Sequence, residues 1–112
     1  THLDHKYEDA ARLIQINEIL SHVEQLDLPV ILGGDLNSRR GSATMDAFQR
    51  YFTVNCLSDG APWTVPTPNP TYACDWLIYA PNKAFVVKAY NVCYWADKES
   101  DHFPVTATYV IR

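Results

Sequence analysis

Val-Ile-Leu-Gly-Gly-Asp-Leu-Asn occupies residues 30–37, and its reading decides the fold. Val30, Ile31 and Leu32 form an apolar run without alternation, which predicts a short strand buried on both faces. Gly33 and Gly34 end the run, and Asp35 and Asn37 follow where the chain leaves the sheet. A strand sheathed on both sides demands a packed layer against each face.

One such layer is written upstream. From Glu8 to Leu26 the apolar residues Leu13, Ile16, Leu20 and Val23 recur at three- and four-residue steps, and Ile19 and Leu26 widen the stripe. Arg12, Asn17, Glu18 and Glu24 fall elsewhere, so an amphipathic helix covering the sheet is predicted, broken by Pro29. Downstream, Ser42 is the expected N-cap of a second helix reaching about Phe52, with Met45, Phe48 and Phe52 on one side. Residues 62–70 hold four prolines and read as a loop. Trp76 to Tyr79 and Phe85 to Trp95 read as strands joined by a turn at Ala80-Pro81-Asn82. Val105 to Ile111 is a closing strand, and Thr1 to Leu3 is the end of another. Two helices and five or six strands predict an α/β (α+β) unit with one mixed, mostly antiparallel sheet. Helices cover one face of that sheet. No element of these residues covers the other, so a second sheet from a preceding segment or another chain is expected.

The chain has 112 residues, 47% of them apolar and 20% charged, which suits one globular domain of modest stability. No apolar run approaches the roughly 18 residues of a membrane span, and no signal peptide is recognised. The sequence opens at Thr1 without an initiator Met, so the natural N-terminus is expected upstream. A net charge of −4 argues against a basic nucleic-acid scaffold. It leaves a nuclease open, because metal-binding carboxylates carry negative charge of their own. Cys56, Cys74 and Cys93 are too few and too scattered for a disulfide framework or a zinc knuckle. Small buried thiols are expected of them, with one disulfide and a leftover thiol as the alternative.

Four polar clusters fall at strand ends: residues 1–5, residues 34–37, Asp75, and residues 100–102. Singly each is weak, since Asp35 and Asn37 suit a turn and Asp101-His102 suits a loop before Pro104. Together they read as Thr-His-Leu-Asp-His at 1–5, Gly-Gly-Asp-Leu-Asn at 33–37, Asp-Trp-Leu-Ile-Tyr at 75–79 and Ser-Asp-His-Phe-Pro-Val at 100–105. In that order they resemble the endonuclease/exonuclease/phosphatase family of deoxyribonuclease I-like enzymes. That family includes abasic-site endonucleases, bacterial sphingomyelinases and inositol-polyphosphate phosphatases.

The resemblance implies a four-layer α/β/β/α sandwich, with residues 1–112 as its C-terminal half. It implies a divalent-metal-dependent phosphoester hydrolase, a phosphodiesterase or phosphomonoesterase, using Mg²⁺ or Mn²⁺. Asp101 and Asp35 would stand at the metal, and Asp35 would also orient and deprotonate the attacking water. Asn37 would bond that water or a phosphate oxygen. His102 would donate to the phosphate, held in its tautomer by Asp75, and His2 would be a second phosphate-contacting histidine. Arg39 and Arg40 follow the turn and are placed either to reach a substrate phosphate or to sit solvated.

Asp4 and Arg12 are expected to make structural contacts. A zinc pair of His2 and His5 is disfavoured without thiolates nearby. Trp63, Tyr72 and Trp76 are expected to pack rather than stack on a base, and His22 is given no role. A small or lipid-linked phosphoester is favoured over nucleic acid, and the opening motif is also similar to exported bacterial members. In the family an Asn and the main metal-binding Glu come from the N-terminal half. The longer protein is therefore expected to be the enzyme and the isolated chain inactive. The alternative is a non-catalytic binding or interaction module that keeps the fold.

Overall fold

The computed structural model describes residues 1–54 and 62–112. Strand β1 (Val30–Asp35) pairs antiparallel with β2 (Asp75–Ala80), in a register that runs from Val30 opposite Ala80 to Asp35 opposite Asp75. Helices α1 (Ala10–Val23) and α2 (Ala43–Gln49) cover one face of this pair. Ile16, Met45 and Phe48 interlock there with Leu36, Trp76 and Ile78, all fully buried. Alternation within the strands assigns the faces, because successive side chains point to opposite sides. The fold is α+β.

The expected helix over 8–26 is shorter, and Leu26 lies half-exposed beyond its end. Ser42 caps α2 as read, its Oγ accepting from the Met45 amide at 3.2 Å. That helix stops at Gln49, yet Phe52 still packs on Phe48, with ring centroids 6.1 Å apart.

The single mixed sheet is replaced by two. β3 (Phe85–Val92) and β4 (Val105–Ile111) form a second antiparallel pair, with an irregularity between Val87 and Ala89. β3 ends before Tyr94 and Trp95, which are exposed. Tyr79, Phe85 and Tyr109 join the two pairs edge to face, with centroids 5.5 to 5.8 Å apart. The Tyr90 hydroxyl adds an acceptor for the Leu77 amide at 3.3 Å. Side chains, rather than a continuous ladder, therefore link the pairs. The predicted strand end at Thr1 to Leu3 survives only as an isolated bridge of His2 with Asp35, and the segment read as a proline-rich loop makes a bridge of its own, Val65 with Tyr72.

β1 is not buried on both faces. Ile31 is 46% exposed, because its side of the strand pair meets no covering layer there among the described residues.

Arg12 lies off the apolar stripe in sequence but is only 4% exposed. Its guanidinium donates to the carbonyls of Asp4 at 3.0 Å, Lys6, and Tyr7 at 3.3 Å, to the Asp9 carboxylate and to Thr44 Oγ1. A buried charge tolerates this position because nearly every donor is used. Hydrogen bonds from Thr44 and Arg12, against the opposing effect of burial, hold the Asp9 carboxyl below its ordinary range. Arg12 so ties residues 4–9 onto the helices, and its contact with Asp4 is structural. Cys74 is buried and Cys93 half-buried, both as free thiols, while Cys56 lies outside the described residues. No helix among the described residues is long and apolar enough to cross a membrane.

The N-terminal segment lies on the Gly-Gly end of β1. The Thr1 nitrogen donates to the Gly33 carbonyl at 2.8 Å, and the Leu3 amide donates to the Asp35 carbonyl at 3.0 Å. Gly34 has φ 151°, and a Cβ there would stand 1.8 Å from the Thr1 carbonyl oxygen. Gly34→Ala is expected to cost about 2 kcal/mol in chemical denaturation and to release the Leu3 amide to fast hydrogen exchange. Unchanged Leu3 protection would contradict this packing.

Candidate active site

Antiparallel register alone sets Asp35 directly across from Asp75 at the end of the first strand pair. Like charges facing each other across strands are destabilising. Two imidazoles reach in to offset them. His102 Nδ1 lies 2.8 Å from Asp75 Oδ2 and 3.9 Å from Asp35 Oδ2, and His2 Nε2 lies 3.4 Å from Asp35 Oδ2. Burial alone would lower the His102 pKa, but the Asp75 hydrogen bond and charge, with the charges of Asp35 and Asp101, raise it above the ordinary histidine value.

Each acid is fixed from behind. The Asn37 amide donates to Asp35 Oδ1 at 2.8 Å, from a backbone at φ 45°, which Asn adopts more readily than most residues. This local turn leaves Asp35 Oδ2 directed at the two imidazoles. Asp75 Oδ2 accepts from Thr64 Oγ1 at 2.5 Å and from Cys74 Sγ at 3.5 Å. Thr64 is fully buried, and its hydroxyl also accepts the Cys74 amide at 3.3 Å. Burial, then the charges of Asp75 and Asp35, push the Cys74 thiol far up, so it stays protonated and donates.

The proline-rich segment carries the histidine loop. Thr67 donates its amide to the Asp101 carbonyl at 3.0 Å and its hydroxyl to the Ser100 carbonyl at 2.6 Å. The Phe103 amide donates to the Thr64 carbonyl at 2.7 Å. The same stretch thereby positions both members of the Asp75–His102 pair. A cavity of about 360 Å³ opens over the cluster, lined by Gly34, Asp35, Asp75, Ser100 and His102 among others.

Four of the residues singled out from sequence thus meet: His2, Asp35, Asp75 and His102. Asn37 stands beside them, but its side-chain amide donates to the Leu3 carbonyl at 2.8 Å. Asp101 is exposed on the same loop as His102 and lies outside the tight group. Arg39 stacks on the Tyr72 ring at 4.0 Å, and Arg40 is exposed. Trp76 is core, its indole donating to the Ser38 carbonyl at 2.9 Å. Two contributors escaped the sequence reading. Thr64 sits in a stretch with no motif, and Cys74 looked like any small buried thiol.

The geometry fixes the behaviour of His102. Its imidazole is expected to titrate above about pH 6.5 by NMR, and Asp75→Asn to bring the midpoint down. Because the folded-state value is raised, the pair stabilises the fold fully below the unfolded value, and that contribution is lost as pH rises through the folded one. An identical midpoint in the Asn variant would contradict the pairing. Thr64→Val is expected to lower the same midpoint or broaden its titration by loosening Asp75.

Solved structures share this arrangement of elements. The chain matches a conserved protein of unknown function from Enterococcus faecalis V583 over 100% of its own length and 48% of that chain, with TM-score 0.83 and 23% identity. A mannosyl-6-phosphatase from Bacteroides thetaiotaomicron VPI-5482 matches over 98% and 49%, with TM-score 0.72 and 26% identity. An endonuclease/exonuclease/phosphatase family protein from Bacteroides thetaiotaomicron matches over 99% and 48%, with TM-score 0.72 and 25% identity. No family model and no curated protein matches the sequence. The chain spans about half the length of these solved proteins. By fold and by its motifs it resembles the endonuclease/exonuclease/phosphatase family, as the C-terminal half.

Proposed function

We propose that the protein carrying this chain hydrolyses phosphate esters at the Asp35–Asp75–His102–His2 cluster. The observation that carries the reading is the convergence of two carboxylates and two imidazoles at one strand end, in hydrogen-bond and ion-pair contact. The likeness to a mannosyl-6-phosphatase and to a named family member at similar identity supports it.

Each residue then has a distinct task. Asp75 accepts from His102 Nδ1–H, which fixes the tautomer and leaves Nε2 to face a phosphate oxygen. A protonated His102 donates there as negative charge develops, a contribution that is large in a water-poor cleft. Asp35 keeps Oδ2 as the acceptor for an attacking water, since Asn37 and the turn hold Oδ1. His2 lies at the exposed rim of the same carboxylate, positioned to touch a second phosphate oxygen. Arg39 and Arg40 serve as phosphate or substrate contacts beyond the cluster.

The donor chemistry suits a hard divalent cation. Asp35, Cys74, Asp75 and His102 bring ligand atoms within 4.8 Å of one another. Two of these four residues, Asp35 and Asp75, offer the carboxylate oxygens that such an ion prefers. Mg²⁺ or Mn²⁺, held by Asp35 and Asp101 with carboxylates from the rest of the protein, would supply positive charge to the phosphate. The open side of β1 at Ile31 supports a second sheet packed there, completing a four-layer sandwich.

In the protein that carries the chain, Asp35→Ala and His102→Ala are each expected to lower kcat/KM on phenyl phosphate by at least about a thousandfold. Chelation should abolish turnover, and Mg²⁺ or Mn²⁺ should restore it. Undiminished turnover in either variant would contradict the assignment of hydrolysis to this cluster, and no turnover by the unsubstituted protein would favour the binding module.

A further inference from the structure

A second, larger cavity adjoins the cluster and shares Asn37 and Cys74 with its surroundings. It measures about 750 Å³, within the range of small-molecule sites. Its walls come from the tied-down 5–9 turn on one side and from Ser38, Arg39, Ser42 and Tyr72 on the other. The lining is mixed: Lys6, Glu8, Asp9 and Arg39 bring charge, while Tyr7 and Tyr72 bring aromatic surface.

Three features narrow what fits. Arg39 lies against the Tyr72 ring at 4.0 Å, an arrangement that holds the guanidinium plane while its edge donors stay able to bond. Ser38 borders the cavity and is buried, and its Oγ has no hydrogen-bond partner among the described residues. Charge in the lining is nearly balanced, Lys6, Arg12 and Arg39 against Glu8 and Asp9, and Arg12 is consumed by Asp9 and by carbonyls.

An alkyl or acyl chain would desolvate these groups without replacing their hydrogen bonds, which is costly. A nucleic-acid backbone needs a run of cations, and Glu8 and Asp9 interrupt any such run. Hydroxyl-bearing ligands meet neither obstacle. We propose that this cavity receives the non-reacting, hydroxyl-rich part of a compact phosphate ester of sugar-phosphate size, with Arg39 on Tyr72 as the specificity-determining contact. The proposal rests on the hydrolase reading and deepens it.

Glucose 6-phosphate, phenyl phosphate, phospholipid vesicles and a duplex oligonucleotide serve as probes on the protein that carries this chain. Glucose 6-phosphate should have the highest kcat/KM. Arg39→Ala and Tyr72→Leu should each lower the ratio of kcat/KM for glucose 6-phosphate over phenyl phosphate by about tenfold, mainly through KM. Chemical-shift changes on adding glucose 6-phosphate should centre on Arg39, Ser42 and Tyr72 even in Asp35→Asn, which binds without turnover. Preference for vesicles or duplex, or an unchanged ratio in both variants, would overturn the cavity assignment while leaving the hydrolase reading intact. Full turnover in Asp35→Asn would contradict hydrolysis at this cluster, and no turnover of any probe by the unsubstituted protein would sink the hydrolase reading; either outcome would take this inference with it.

Discussion

Two carboxylates placed opposite each other on neighbouring strands are the constraint to which the rest of the site answers. Asp35 and Asp75 are register partners, so the strand pair cannot form without bringing them together. Their repulsion is met by His102 between them and His2 at the rim. Once the imidazole is there, Asp75 becomes its orienting partner. The backbone pairing that makes the sheet is therefore also what assembles the cluster.

The surrounding structure divides into a rigid side and an open side. Ile16, Phe48, Trp76 and Ile78 fill the interface between strands and helices, and burial of each large side chain is worth about 1.5–3 kcal/mol. That face fixes where β1 and β2 end. On the opposite side, Ile31 and the Gly33–Gly34 backbone are only partly covered, by the Thr1–Leu3 segment and by aromatic contacts to the second strand pair. The cluster lies at the end of the well-packed face, supported from below by Thr64 and from the side by the Thr67 clasp. Such backing lets acid and imidazole hold their geometry without a deep pocket.

Much of this was legible in the sequence, and the exceptions have physical causes. The three- and four-residue spacing of Ile16, Leu20 and Val23 gave α1 its buried face, and Ser42 gave α2 its start. Strand ends were readable because apolar runs stop at Gly33-Gly34 and begin at Asp75. That is why Asp35, Asp75 and His102 could be expected to meet. Strand partnership was not legible, since alternation says which face a residue takes and not which strand it joins. One sheet was expected where side chains of Tyr79, Phe85 and Tyr109 join two. Arg12 was expected to make structural contacts near Asp4 and does, but its burial was not legible because its partners are mostly carbonyls, which no side-chain pattern announces. Thr64 and Cys74 act on Asp75 through the fold of a proline-rich stretch whose composition predicted only a loop.

The central claim is that Asp75 and His102 act as one unit on a phosphate ester. A double-mutant cycle on kcat with phenyl phosphate tests it most directly, using Asp75→Asn, His102→Gln and the double variant. If the two residues work only through their shared hydrogen bond, the double variant should be no slower than the slower single variant by more than about threefold. A double variant whose loss equals the product of the two single losses would mean that they act independently, and would contradict the account.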